Sequence, residues 1–196
     1  MRESFPEQGT ASKIILLPQT KVPPGWISEQ QAVQAALASL AEAEAIWTGE
    51  EGVLDEAGEQ WTVSLAAAQE TAEPRSISVD AKSGRIIQMQ NDAFRIFAPA
   101  ASESVGSSFT VEGKARVAEA AFLWELEDGH NILAQGRGMA SASAPEWGDF
   151  TVRVNYDPKQ VTSPHLNLIL FAGSAKDGSR GHELIFPLIP RESAQN

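Results

Sequence analysis

Between Phe109 and Glu127 the chain alternates apolar and polar positions with the two-residue period of half-buried strands. Phe109 and Val111 alternate with Thr110 and Glu112; after Gly113, Ala120, Phe122, Trp124 and Leu126 alternate with Ala121, Leu123, Glu125 and Glu127. One face of the second run is apolar throughout. The other becomes charged at Glu125 and Glu127 and is expected to meet water, and Asp128-Gly129 then supplies turn chemistry. Similar runs recur at Ile132 to Gln135, Phe150 to Tyr156, Leu166 to Phe171 and Glu183 to Leu188, with turn residues between them. About seven strands in about 100 residues predict an antiparallel sandwich.

Upstream the period changes. Ser28 is an N-cap with Gln31 at the third helical position to complete a capping box, Glu29 lies in the first turn, and Ile27 is placed to staple against Ala32. Ala32, Val33, Ala36, Leu37 and Leu40 then recur at helical spacing as one narrow, alanine-rich stripe, which suits close approach to a sheet. Strand-like segments follow at Ala45 to Thr48, Gln60 to Leu65, Arg75 to Asp80 and Arg85 to Met89, with Lys82-Ser83-Gly84 as the last turn. The prediction is a helix on a small antiparallel sheet, an α+β unit over 26–90. Gln90-Asn91-Asp92 is read as a linker into the sandwich, 94–190. Residues 1–25 are read as a polar leader with a short strand at Lys13 to Leu17, ended by Pro18.

Two resemblances attach to these patterns. Val111-Glu112-Gly113-Lys114-Ala115-Arg116-Val117 with Glu119, then Asp128-Gly129, Ala144-Pro145-Glu146-Trp147-Gly148-Asp149-Phe150 and Ser174-Ala175-Lys176-Asp177-Gly178-Ser179 resemble the immunoglobulin-like domain of bacterial spore-germination proteins. The resemblance spans nearly all of Phe94 to Pro190. It departs at Ala118, where that family often carries an aromatic residue, which touches one core contact. Ile27-Ser28 with Ala32 and Ala35 or Ala36, then Ile77-Ser78-Val79-Asp80-Ala81 and Ser83-Gly84-Arg85-Ile86, resemble a PepSY domain. That family occurs in propeptides of secreted metallopeptidases and in spore-cortex and envelope proteins, where it is thought to bind or inhibit peptidases.

Charge narrows the partners. The formal net charge is −11, with 6 Lys and Arg against 14 Asp and Glu in residues 1–92, and 9 against 12 in residues 93–196. Such a chain lacks the clustered cations that nucleic acid or anionic membrane surfaces require. No apolar run approaches the roughly 20 residues of a membrane span. There is no cysteine, so disulfides, thiolate metal sites and thiol nucleophiles are excluded. That lack is common among extracytoplasmic proteins of Gram-positive bacteria. Residues 1–12 have neither a basic n-region nor an apolar h-region, so the residues leave two alternatives, a cytoplasmic protein or one whose signal or lipoprotein leader has been removed. The germination resemblance implies an extracytoplasmic, envelope- or spore-associated protein whose leader has been removed.

The search for chemistry returns contacts rather than a reaction. His130, His165 and His182 are scattered and sit beside turn-forming residues, so they read as solvated loop histidines. Glu125, Glu127 and Asp128 read as an outer strand face and a turn aspartate, with no implied pocket to raise one pKa. Gly136-Arg137-Gly138 and Ala172-Gly173-Ser174 do not lie between a strand and a helix, as a phosphate loop must. Asp177-Gly178-Ser179 with Asp149 and Glu146 is a minor calcium candidate, and Ser141 and Ser143 lack the frame of a nucleophile elbow. Trp124 is expected in the core. Trp147 is a core plug or a contact, while Trp26, Trp47 and Trp61 become contact candidates if exposed. The resulting expectation is a non-enzymatic binding protein of the cell envelope, without metal or cofactor. Its partner would be an envelope protein, a peptidase or a peptidoglycan-associated ligand; the alternative is a regulator or inhibitor of a secreted peptidase acting through the PepSY-like half.

Overall fold

A computed structural model describes residues 24–40, 47–67, 75–173 and 179–191. Residues 1–23 of the expected leader, with the strand at Lys13 to Leu17, and the Trp47 side chain lie outside the described residues, as do Ser174 to Gly178. One helix, α1 (Glu29–Ala38), precedes strands β1 (Trp47–Leu54), β2 (Gln60–Ala67), β3 (Arg75–Asp80), β4 (Ile86–Gln90) and β5 (Phe94–Ala98). Then come β6 (Ser104–Val105), β7 (Ser108–Ala115), β8 (Ala121–Glu127), β9 (Ile132–Met139), β10 (Gly148–Asn155), β11 (Leu166–Gly173) and β12 (Arg180–Pro190).

The helix begins as its sequence dictates. The Ser28 hydroxyl accepts from the Gln31 amide at 3.3 Å, and the Gln31 side chain accepts from the Ser28 amide at 2.8 Å, so two orphan donors are satisfied reciprocally. Its Ala32 and Ala36 are fully buried against β1, β2 and β3.

The strands form two sheets, a seven-stranded one in the order β1-β2-β3-β4-β5-β7-β10 and a five-stranded one in the order β6-β12-β11-β8-β9. All pairings are antiparallel except β6 with β12. A single row of register partners crosses the whole large sheet: Gly52, Val63, Ile77, Met89, Ile96, Gly113 and Phe150. Every member is buried. Paired residues share a face, so this row marks one apolar face. Helix α1 covers it over β1 to β3, and the five-stranded sheet covers it over β5, β7 and β10. Phe122 from β8 meets Phe94 edge-on at 5.5 Å and Phe150 at 4.8 Å, tying the two layers. Such aromatic pairs contribute about 0.5–1.5 kcal/mol each beyond area burial.

Two expectations change. Phe94–Ala98 and Ser104–Val105 are strands that the apolar patterning did not reveal. Gln90-Asn91-Asp92 is not a linker but the turn of a hairpin between β4 and β5, in which Met89 pairs with Ile96 and Gln90 with Arg95. The turn is tight because Asn91 replaces backbone partners with its side chain. Its Oδ1 accepts from the Ala93 amide at 3.0 Å and the Phe94 amide at 2.8 Å, while its own amide donates to the Phe94 carbonyl at 3.0 Å. The large sheet therefore passes from the N-terminal half into the sandwich without a break.

Candidate binding end of the sandwich

Three segments converge at one end of the sandwich: the exit from β7, the loop into β10, and the facing ends of β11 and β12. Strand β7 ends at Ala115, and Arg116 follows with its amide held by the Ala93 carbonyl at 2.8 Å. The Arg116 guanidinium donates from Nε and Nη2 to the Asp92 carbonyl at 3.1 and 2.6 Å. It also lies 4.9 Å from the Trp147 ring centroid, and Arg95 lies 4.1 Å from the same ring. The indole is thus flanked by two guanidiniums, a geometry in which each cation meets the electron-rich face of the ring. Asp92 carries the arrangement on, because its carboxylate pairs with Nδ1 of His182 at 3.0 Å.

Of the four non-glycine residues with positive φ among those described, three lie at this end, the fourth being Ser102. Glu119 and Ala120, in the 3₁₀ turn between β7 and β8, both have φ of 57°, and His182 on β12 has φ of 55°. Non-glycine residues in the left-handed region carry strain, and such strain gathers at functional sites. A groove of roughly 780 Å³ opens between these positions, with Phe122 and Ala172 forming apolar parts of its wall and Arg116, Glu119, Arg137 and His182 its polar parts.

The sequence candidates separate on the structure. Trp147 is half-buried and stands outside the core, while Phe150, three residues on, is in it. Gly148 is needed where it stands: a β-carbon there would strike the Ala142 backbone. Trp26 is half-buried and packs against the core. Trp61 is 3% exposed and donates from Nε1 to the Ile27 carbonyl at 3.2 Å. Neither is brought to the end that holds Trp147. Trp124 is buried, as its alternating pattern predicts.

Among the charged candidates, Glu125 takes a two-pronged bond from Arg180 at 2.7 and 2.9 Å, and that guanidinium also covers the Phe171 ring at 4.2 Å. Asp149 pairs with Lys114 at 2.9 Å. Asp128 is a buried structural carboxylate. Its Oδ1 accepts from the His130 and Asn131 amides at 3.0 and 2.8 Å, and its Oδ2 from the Thr162 amide and hydroxyl, both at 2.7 Å. Burial raises its pKa, but the bonds from Thr162, Asn131 and His130 outweigh burial and hold the carboxyl below its ordinary range. His182, read from sequence as a loop residue, lies within β12. No three His, Asp or Glu side chains gather to hold a metal ion among the described residues.

The convergence of β5, β7, β10 and the short turn before β8 belongs to a region that matches a known family model. Residues 94–179 match the immunoglobulin-like domain of bacterial spore germination. The match opens on Phe94, the first residue of β5, immediately beyond the Asn91 turn. It includes Arg95, Arg116 and Trp147 and stops at Ser179, short of β12, although β12 lies between β6 and β11 in the five-stranded sheet. No curated protein and no solved structure matches the chain. The matched region is therefore flanked on one side by β1 to β4 and α1, which share its larger sheet, and completed on the other by β12. No helix among the described residues is long and apolar enough to cross a membrane.

Proposed function

We propose that this protein is a non-enzymatic binding protein of the bacterial cell envelope, acting outside the cytoplasm in sporulation or spore germination, and that it engages its partner through the end of the sandwich bearing Arg95, Arg116 and Trp147. The observation that carries this reading is the coincidence of the germination-family match with that end: the matched residues 94–179 contain the flanked indole, the strained turn at Glu119 and most of the groove wall. Tryptophan and arginine are the residues most enriched where binding energy concentrates. The partner is an envelope protein or a peptidoglycan-associated ligand, and binding needs no cofactor. The test compares the full chain with Arg116→Ala and Trp147→Ala in pull-downs from spore and vegetative envelope extracts. Retention of the same component by all three, or by none, counts against this end as the contact.

A second reading rests on the N-terminal half. Helix α1 laid across antiparallel strands β1 to β3 supports the PepSY-like resemblance, and with it regulation of a secreted peptidase. Inhibition of any member of a panel of secreted peptidases by the full chain, retained in Trp147→Ala, would favour it.

A further inference from the structure

The groove at the Trp147 end has a charge pattern of its own. It is lined by two guanidiniums, Arg116 and Arg137, and one carboxylate, Glu119, in a chain whose formal net charge is −11. Neither guanidinium is paired with a carboxylate among the described residues. Arg137 makes no hydrogen bond or ion pair there, and the Arg116 side chain donates only to the Asp92 carbonyl, a neutral acceptor. Other cations of the sandwich are compensated, Arg180 by Glu125 and Lys114 by Asp149.

The two guanidiniums stand at opposite ends of the groove. Arg137 lies on β9, where it pairs with Leu123 of β8, which in turn pairs with Phe171 of β11. Arg116 lies beside β12, because Asp92 holds both it and His182 of that strand. From β9 through β8 and β11 to β12 is three strand spacings, about 14 Å. Between the ends the groove is lined by Phe122, by Leu123, which is 40% exposed, and by Ala172. Glu119 enters from the turn at the start of β8, between the two cations. An extended chain presents residues i and i+4 on one face, about 13 Å apart. Two carboxylates at that spacing match the two guanidiniums, and Glu119 disfavours a third acid between them.

We propose, resting on the reading that this end of the sandwich is the contact surface, that the groove takes an extended acidic segment of a partner protein, with one carboxylate on Arg137 and a second, four residues away, on Arg116. Arginine clusters read acidic motifs in this manner, through charge-assisted bonds. Arg137 is then a specificity residue outside the Trp147 cluster. At physiological ionic strength the negative charge of the rest of the chain is screened beyond about 8 Å, so it opposes the contact little.

The test is fluorescence anisotropy of a dye-labelled, end-capped Glu-Ala-Ala-Ala-Glu peptide with the full chain at physiological salt, where saturable binding is expected. Gln-Ala-Ala-Ala-Gln, and Glu-Glu-Ala-Ala-Ala with the same charge at the wrong spacing, should each bind about tenfold more weakly or worse. Arg137→Glu, at an exposed position, should lose about tenfold or more for the first peptide and regain binding when one terminal Glu of the peptide is replaced by Lys. Absence of binding, equal binding of Glu-Glu-Ala-Ala-Ala, or indifference to Arg137→Glu overturns the proposal, as does binding of peptidoglycan stem-peptide fragments in place of the acidic peptide. The envelope pull-down separates this failure from that of the wider reading. If Arg116→Ala and Trp147→Ala lose the retained component while Arg137→Glu keeps it, the acidic ligand is wrong and the contact end stands; if all three keep it, the contact end is wrong as well.

Discussion

The side-chain amide of Asn91 donates to the carbonyl of His182 at 3.0 Å, across 91 residues of sequence. It reaches the Glu183 carbonyl as well, at 3.3 Å, so the turn that joins the two halves of the large sheet is also fastened to the opposite sheet. Asn91 is 7% exposed, and its Oδ1 holds two further amides. Asn91→Ala is expected to leave buried donors and acceptors unpaired and to cost about 1–3 kcal/mol. Urea unfolding measures this; a variant within about 0.5 kcal/mol of wild type, the range of ordinary surface changes, would show that the turn holds without it.

Gly113 sits in the same row of register partners as Ile96 and Phe150. A β-carbon there would collide with the Arg95 carbonyl and come within 2.7 Å of the Phe150 ring. Gly113→Ala is therefore expected to destabilise by about 1–3 kcal/mol through overpacking. Gly106 has open space around it, so Gly106→Ala serves as the near-neutral control. Equal thermal midpoints for the two variants would contradict this account.

Much of the fold was legible because it is written locally. The Ser28-Gln31 box, the segment Arg75–Asp80 and the alternation through Phe122, Trp124 and Leu126 each carry their own periodicity or cap, and each is found in place. What was missed depends on partners far along the chain. Strand β5 hides because a register shift between Ile96 and Ala98 breaks its alternation at Phe97. Strand β1 was expected to end at Thr48 but runs to Leu54, since Gly49 and Gly52 resemble loop residues until Val33 and Glu29 of the helix are seen occupying the space of their missing side chains. The candidate site was half legible. Trp147 stood out as an aromatic in a loop, but no local pattern announces that Arg95 and Arg116 close on it.

The buried Asp128 sets an expectation for acid. Its folded pKa lies below the ordinary unfolded value of about 3.9. Stability from this group is thus fully present above that unfolded value and is lost as pH falls toward the folded one. Asp128→Asn is expected to be less stable than wild type near neutrality, with the gap shrinking between about pH 5 and pH 2. Denaturation curves at several pH values check this; a gap independent of pH would mean that the charge of Asp128 contributes nothing beyond its geometry.

Trp147 separates a contact residue from a core residue by magnitude. A buried tryptophan replaced by alanine costs about 3–5 kcal/mol. Trp147 is half-buried between two cations, and two partly exposed cation–π contacts account for about 1–2 kcal/mol. Trp147→Ala is expected to fall in the smaller range while removing partner binding. A loss of more than about 3 kcal/mol would return it to the core.

The continuity of the large sheet sets an expectation for the family-matched region taken alone. Cutting the chain before Phe94 removes Met89 from its pairing with Ile96, removes Asn91 from the carbonyls of His182 and Glu183, and removes Arg75, whose Nη1 donates to the Ile185 carbonyl at 3.3 Å. It also converts β5 from an internal strand into an edge beside the apolar side chains of Phe94 and Ile96, both fully buried in the intact chain. Bare edges next to apolar surface promote association with other chains. The fragment 94–191 is therefore expected to unfold at lower urea than the full chain and to aggregate at concentrations where the full chain does not, while the full chain unfolds in one transition. Two well-separated transitions in the full chain, the later one coinciding with that of a soluble fragment, would show that β1 to β4 and α1 form an independent unit and that the shared sheet adds no cooperativity.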